Sequence, residues 1–368
     1  MNYINSLPLD IIEINICNKN LSILPDLSRF TCLQKLDCSN NQLRQLDNLP
    51  SFLQVLNCSN NQITQLDNLP SSLQVLNCSN NQLTQLDSLP SSLQKLNCYN
   101  NWITQLDNLP SSLQILYCPI NRITRLDNLP SSLQELSCLI NRIRQLDNLP
   151  SLQILHCHYN QITQLDNLPS SLQELICYCN QLTQLDNMPF SLKKLDCSNN
   201  RLTQLNNLPS SLQELKCSSN QMTQVDNLPP SLQMLDCDGN QITQLDNLPS
   251  SLQELNCSYN QIVQLDNLPS SLQKLICCGN NISQLDNLPL LLYFLICYNN
   301  KMENNDIVYW KEQTKIKKLE LLKKNFCTRK IQRQWRKYWY DFYKYEIING
   351  QNIGFCRFIE KSYFYYNQ

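Results

Sequence analysis

The chain of 368 residues contains no alanine, four glycines and two histidines. It also has no apolar run approaching the roughly 20 residues that a membrane-spanning helix needs, so no such helix is expected. Met1 to Ile16 lacks a basic segment leading into an apolar core, and no secretory signal peptide is expected. The two histidines, His156 and His158, stand at i, i+2 with Cys179 as the next available donor. That spacing matches no zinc signature and supplies no fourth ligand, so no metal is expected there, although a pH-sensitive surface pair is conceivable chemistry. Glycine is missing from the recurring segment Asp-Asn-Leu-Pro. Calcium loops use glycine to fold around the ion, which disfavours calcium on the aspartate column Asp47, Asp67, Asp87, Asp107, Asp127, Asp147, Asp166, Asp186, Asp226, Asp246, Asp266 and Asp286. Asn206 interrupts that column, and an Asx turn explains it without an ion. The missing alanine, beside abundant Asn, Ile, Leu, Gln and Tyr, reads as coding bias of an AT-rich genome.

Repetition is what the chain has in excess. From Leu33 to Asn300 the unit L-Q-x-L-x-C-S-x-N-Q-L-T-Q-L-D-N-L-P-S-S recurs every 20 residues. A fixed period of this length is the signature of a solenoid, in which each unit buries its apolar face against its neighbours. Length alone would suggest two or three domains; the repeat replaces that expectation with one long array and a tail. Within a unit, Gln34 to Ser39 alternates, with Leu36 and Cys38 on one side and Lys35, Asp37 and Ser39 on the other, which predicts a short strand with one buried face. Asn41 and its equivalents are expected to bond the backbone of the turn leaving the strand. Leu43, Leu46 and Leu49 return to the core, and Pro50 with the next serines turns the chain into the following strand. Twenty residues leave no room for a crossover helix, so extended or 3₁₀ segments are expected on the convex face.

Twenty cysteines suggest disulfides, but fourteen of them, from Cys38 to Cys297, fall at one repeat position. Parallel strands lie about 4.8 Å apart, whereas a disulfide needs Cβ atoms about 3.8 Å apart. A ladder of free thiols fits better and implies a reducing, intracellular compartment for a soluble chain.

These residues resemble the leucine-rich repeat, L-x-x-L-x-L-x-x-N-x-L, with Cys at the third Leu. The L-P-S-S-L return resembles the repeats of secreted effectors of pathogenic enterobacteria, and the near-identical, Asn-rich, alanine-free units look like leucine-rich-repeat proteins of giant DNA viruses of amoebae. The resemblance implies a curved leucine-rich-repeat solenoid of about 15 repeats with a parallel β-sheet on its concave face. It also implies a binding scaffold, with no enzyme activity, cofactor or small-molecule substrate. Residues 1–32 read as a divergent capping repeat, in which Ile11, Ile14, Ile16, Leu21, Leu24 and Leu27 fit and Lys19 replaces the Asn. Residues 33–302 read as the solenoid. Its eighth strand follows Pro150-Ser151-Leu152, one serine short.

Residues 303–368 read as a basic, mainly helical C-terminal cap or tail. The acidic body, residues 1–300, carries 14 Lys+Arg against 23 Asp+Glu, and the remainder carries 15 against 7. Residues 306–348 read as helix, with Ile307, Trp310, Ile316, Leu319, Leu322 and Phe326 at helical spacing. Within them Ile331, Gln332, Trp335 and Arg336 lie in a partial match to the IQ motif, which implies a calmodulin-like partner; Lys337 and Asp341 depart from it. A basic helix with Trp335 and Trp339 also suits anionic lipid or RNA, readings ranked below a solvated cap helix. The effectors sharing this repeat class attach it to a ubiquitin-ligase domain. Here the segment beyond the repeats is too small for one, and Cys327 and Cys356 lack activating neighbours.

In a solenoid, partners are read where units differ. Early strands are bland, as in Val55-Asn57-Ser59. The central ones carry Tyr99, Trp102, Tyr117, Arg122, Leu139, Arg142, His156, His158, Tyr159 and Tyr178. Tyr, Trp and Arg dominate binding hot spots, so these residues are the candidate surface for a protein partner. Drift among near-copies would also scatter Tyr and Ile, and an array kept only for bulk is a further alternative. A second patch, Ile276, Cys278, Phe294, Ile296 and Tyr298, is expected to dock the C-terminal cap.

Overall fold

The computed structural model describes residues 6–302 apart from 88, 286 and 287, together with Ile4 and the backbone of Val308–Trp310. The described residues form one sheet of three-residue strands in chain order, from β1 (Glu13–Asn15) and β2 (Lys35–Asp37) to β15 (Phe294–Ile296) and β16 (Val308–Trp310). The first fifteen strands are parallel and in register, so Leu36 pairs Leu56 and Leu56 pairs Leu76. Equal repeats place equal residues on adjacent rungs. From β1 to β15 the central residue of each strand is buried, and in most of these strands its neighbours are half-buried or exposed, as the alternation predicts; in β7 Ser137, and in β15 Phe294 and Ile296, are buried as well.

Each coil contributes the same apolar set. Leu33, Leu36, Cys38 and Leu43 are fully or almost fully buried, and Leu46 nearly so. A buried Leu contributes about 2–3 kcal/mol, and these side chains have no core except the coils on either side. Among the described residues the ladder cysteines form no disulfides, and they lie at 0% exposure. Their thiols point along the stack: Cys58 Sγ donates to Asn77 O at 3.4 Å and Cys98 Sγ to Tyr117 O at 3.5 Å. Burial pushes the Cys98 and Cys138 thiols up to about 12, which makes them packing groups and not nucleophiles.

The asparagine ladder takes the structural role read from the sequence. Asn61 Nδ2 donates to the carbonyls of Cys38, Cys58 and Ser59, and its Oδ1 accepts from the Leu43 N–H at 2.9 Å. One amide therefore ties two coils together inside the core. The return segments are extended, with a turn closed by Leu73 N–H donating to Pro70 O at 3.1 Å; no 3₁₀ segment forms among the described residues. The second serine of the return also bonds backward, as Ser132 Oγ does to Leu113 O at 2.6 Å. This is the serine missing after Pro150. There the turn tightens, Leu152 N–H donating to Pro150 O at 2.6 Å, and the register of Glu135 with Ile154 is kept.

At the far end, β16 runs antiparallel to β15, pairing Leu295 with Tyr309. This corrects the helix expected to include Trp310: an extended segment satisfies the open edge of the last parallel strand, which a helix would leave unpaired. The rest of the expected cap helix lies outside the described residues, as do Ile331, Gln332, Trp335 and Arg336. No described helix is long and apolar enough to cross a membrane.

Candidate functional site

The outer face of the sheet has three columns, those of Lys35, Asp37 and Ser39, the last of them largely buried, as at Ser39 and Ser59. In the early coils these columns satisfy themselves. Ser59 Oγ donates to Asn57 Oδ1 at 2.8 Å, and Asn57 Nδ2 to Asp37 Oδ2 at 3.1 Å. Such a surface offers a partner little.

The central coils differ. Tyr99, Pro119, Leu139, His158 and Tyr178 replace the serine column in succession. His158 stacks on Tyr178, ring centroids 4.3 Å apart, and Tyr159 meets both rings edge-on at 5.8 and 5.2 Å. His156 lies 6.4 Å from His158 and approaches Glu174 at 3.2 Å, which also holds Lys194 at 3.1 Å. Partial burial pushes the Glu174 carboxyl up, but the bond and charge of Lys194, then those of His156, outweigh it and leave it below its ordinary value. Tyr117 donates its hydroxyl to Glu135 at 2.6 Å; burial, then that bond, pushes the phenol up to about 12.

His158 is 9% exposed, and its Nδ1 has no hydrogen-bond partner among the described residues. Burial, then the neighbouring His156, lowers its pKa to about 4, so the ring is neutral at physiological pH. It acts here as a flat, largely apolar base for Tyr178.

The structure divides the sequence-predicted surface into a face and a flank. Tyr99, Tyr117, Leu139, His156, His158 and Tyr178 stand on the sheet, with Tyr159 at the turn beside it. Trp102, Arg122 and Arg142 instead lie beyond the strands, each one residue after a ladder asparagine. There the Arg122 guanidinium sits 5.6 Å over the Trp102 ring. Among the described residues no group of three His, Cys, Asp or Glu could hold a metal. The exposed aspartate column accepts side-chain bonds instead, as from Gln65 to Asp67 at 2.7 Å.

One signal escaped the sequence reading. The residue before each ladder asparagine has positive φ: 55° at Asn60, 53° at Asn80, 64° at Gly239 and 61° at Gly279. Asn and Gly tolerate this left-handed backbone; β-branched and bulky residues do not. In four successive coils the position holds Ile120 (50°), Ile140 (52°), Tyr159 (53°) and Cys179 (53°), whereas Ser219 and Tyr259 are isolated departures. Neighbouring coils hold the strained residues in place, Ile120 N–H donating to Leu139 O and Ile140 N–H to His158 O, both at 3.1 Å. Returning Ile120 and Ile140 to Asn should raise stability by about 1–2 kcal/mol per site, visible as a higher urea midpoint at unchanged slope. Unchanged or lower stability would show that these side chains repay their backbone strain by packing.

A second missed feature lies on the other half of the face. Asp236 and Asp238 occupy adjacent outward columns, and Asp238 Oδ1 is buried without a hydrogen-bond partner among the described residues. Burial, then the charge of Asp236, pushes Asp238 up to about 6, against a smaller pull from the Gly239 N–H. Its sequence signal was an Asp in a column of serines. The second predicted patch does assemble: Cys278, Phe294 and Ile296 are buried together, with Ile276 and Tyr298 against them.

The description Leucine Rich repeats (2 copies) matches residues 52–91, 71–111 and 210–250, and Leucine Rich Repeat matches 191–215 and 251–275. No curated protein matches the chain. Among solved structures, YopM from Yersinia enterocolitica is 34% identical over 80% of this chain and 71% of its own, with a TM-score of 0.74. YopM from Yersinia pestis, described as a leucine-rich effector protein, is 30% identical over 78% of this chain and 88% of its own, TM-score 0.70. The functional domain of InlJ from Listeria monocytogenes, described as including a cysteine ladder, is 31% identical over 80% and 72%, TM-score 0.69. With its 20-residue coils, its asparagine and cysteine ladders and these likenesses, the chain belongs to the leucine-rich repeat family.

Proposed function

We propose that this protein is a non-catalytic scaffold that binds a protein partner across the central coils, on the sheet face running from Tyr99 to Tyr178. The observation that carries the reading is the coincidence of two departures in the same coils. The serine column turns aromatic and aliphatic where the left-handed position abandons Asn and Gly. Drift would scatter costly backbone choices singly, as at Ser219 and Tyr259, whereas four in succession mark a site under functional demand. Rigid aromatic side chains clustered on a stiff sheet are the make-up of a binding hot spot, and a ladder of cysteines that form no disulfides suits an intracellular setting.

The test is capture from lysate with the wild type and with a variant carrying Tyr99→Ser, Tyr117→Asn, His158→Ser and Tyr178→Ser, residues native to those columns elsewhere in the array. A specific protein retained by the wild type and lost by the folded variant is the expected result. The same proteins retained by both would remove the central face from consideration.

A further inference from the structure

We propose that the flank beside this face, formed by Trp102, Arg122, Arg125, Arg142 and Arg144, recognises an acidic, aliphatic-containing segment of the partner protein. The inference rests on the scaffold reading above and names the chemistry of what that scaffold takes.

In most coils the residue after the ladder asparagine is Gln, as at Gln62, Gln82, Gln161 and Gln181. In three successive coils it becomes Trp102, Arg122 and Arg142. Their backbones occupy consecutive rungs: Trp102 N–H donates to Leu83 O at 2.8 Å, Arg122 N–H to Ile103 O at 2.8 Å and Arg142 N–H to Ile123 O at 2.9 Å. Two exposed arginines therefore stand at equivalent places on adjacent coils. Like charges so placed repel, and among the described residues neither has a carboxylate partner. Arg122 is oriented by the Trp102 ring, a contact that leaves its N–H edge free to donate.

The same two coils supply Arg125, paired to Asp127, and Arg144, whose Nε reaches Gln161 Oε1 at 3.4 Å. Residues 1–300 contain seven arginines, and four of them are these. A local cluster of positive charge on a body with 14 basic and 23 acidic residues is a selective feature. The strained, partly exposed Ile120 and Ile140 stand two residues before Arg122 and Arg142, with Leu139 alongside.

The occupant that matches is a peptide presenting carboxylates to the arginine forks and aliphatic side chains to the isoleucines. Nucleic acid fits less well. It requires a positive track several phosphates long, and Asp127 and Asp147 border this one on both coils.

A random 12-residue peptide library selected on the full chain tests the proposal. Retained peptides should be enriched in Asp and Glu with aliphatic neighbours, and their binding should weaken as salt rises. Arg122→Gln/Arg142→Gln, which installs the residue most coils carry, should bind them about tenfold or more weakly. Lys193→Gln/Lys216→Gln, which removes equal charge elsewhere, should bind them as the wild type does. Neutral or basic selected peptides, equal loss in both variants, or displacement of the peptides by a single-stranded oligonucleotide at equal concentration would overturn it. The capture experiment is read independently: a partner lost with the sheet variant but kept by the arginine variant leaves the scaffold standing and removes the acidic-segment site.

Discussion

Asn200→Ala should cost about 3–5 kcal/mol and split the unfolding of the array. The side chain is 8% exposed and bonds to two coils at once. Its Nδ2 donates to Cys177 O at 3.1 Å, Cys197 O at 3.0 Å and Ser198 O at 3.1 Å, and its Oδ1 accepts from the Leu182 N–H at 2.9 Å. Alanine fills none of these roles. Each buried group left without a partner costs about 1–3 kcal/mol, and no water-sized polar route replaces a bond inside a packed coil without disturbing its neighbours. The effect extends beyond one coil because a stack transmits stability through nearest-neighbour contacts. Weakening the contact in mid-array should turn one denaturant transition into two, resolved by tyrosine fluorescence and far-ultraviolet circular dichroism. Asn200→Asp provides the sharper comparison. It keeps the shape and the acceptor for Leu182 but replaces the donor with a carboxylate oxygen facing three carbonyl oxygens, so at neutral pH it should be at least as damaging as alanine. An Asp variant near wild-type stability would mean that packing, and not the donated bonds, is what the ladder supplies.

The same ladder shows how much could be read from sequence. A period of 20 with Leu, Cys and Asn at fixed places determines strand, core and turn, because an error in any one would repeat in every coil. Framework positions were legible for that reason: Leu36, Cys38 and Asn41 do what their pattern implied. The site was legible as a list of unusual residues, but its geometry was not. Trp102 and Arg122 fall on the flank because the chain has left the strand by the ladder asparagine, and three-residue strands are shorter than the alternation suggested. The strain at Ile120 and Ile140 lay in the backbone; its trace in the sequence was the loss of Asn or Gly before the ladder asparagine. Trp310 was misread because helical spacing over a segment does not report an open sheet edge nearby. Asp238 was overlooked because its character comes from burial beside Asp236, which pattern alone does not give.

Between pH 6.5 and 4, His158 and Asp238 should move the stability of the fold in opposite directions. The His158 pKa falls from the usual 6.5 to about 4, through burial and then the neighbouring His156. Above pH 6.5 the ring is neutral folded or unfolded, and the fold keeps its full stability. As the pH drops toward 4 the unfolded chain takes up a proton that the folded chain refuses, and up to about 3 kcal/mol is lost. Asp238 is displaced the other way, from 3.8 to about 6, through burial and then the charge of Asp236. Above pH 6 the fold carries a poorly solvated charge. As the pH drops from 6 toward 3.8 the folded chain takes the proton first, and a similar amount is gained. The residues lie four coils apart, so their effects should add. The wild type should therefore show a shallow acid limb that conceals two steep ones. Urea midpoints measured from pH 7 to 4 separate them: His158→Ser should become more stable as the pH falls, and Asp238→Ser less stable. Glu174, held below its ordinary value, adds the same modest acid loss to both variants and leaves the difference between them intact. A His158→Ser profile parallel to the wild type would show that the ring is solvated in the fold. In that case its stack on Tyr178 would be a loose surface contact, not the buried base on which the central face is built.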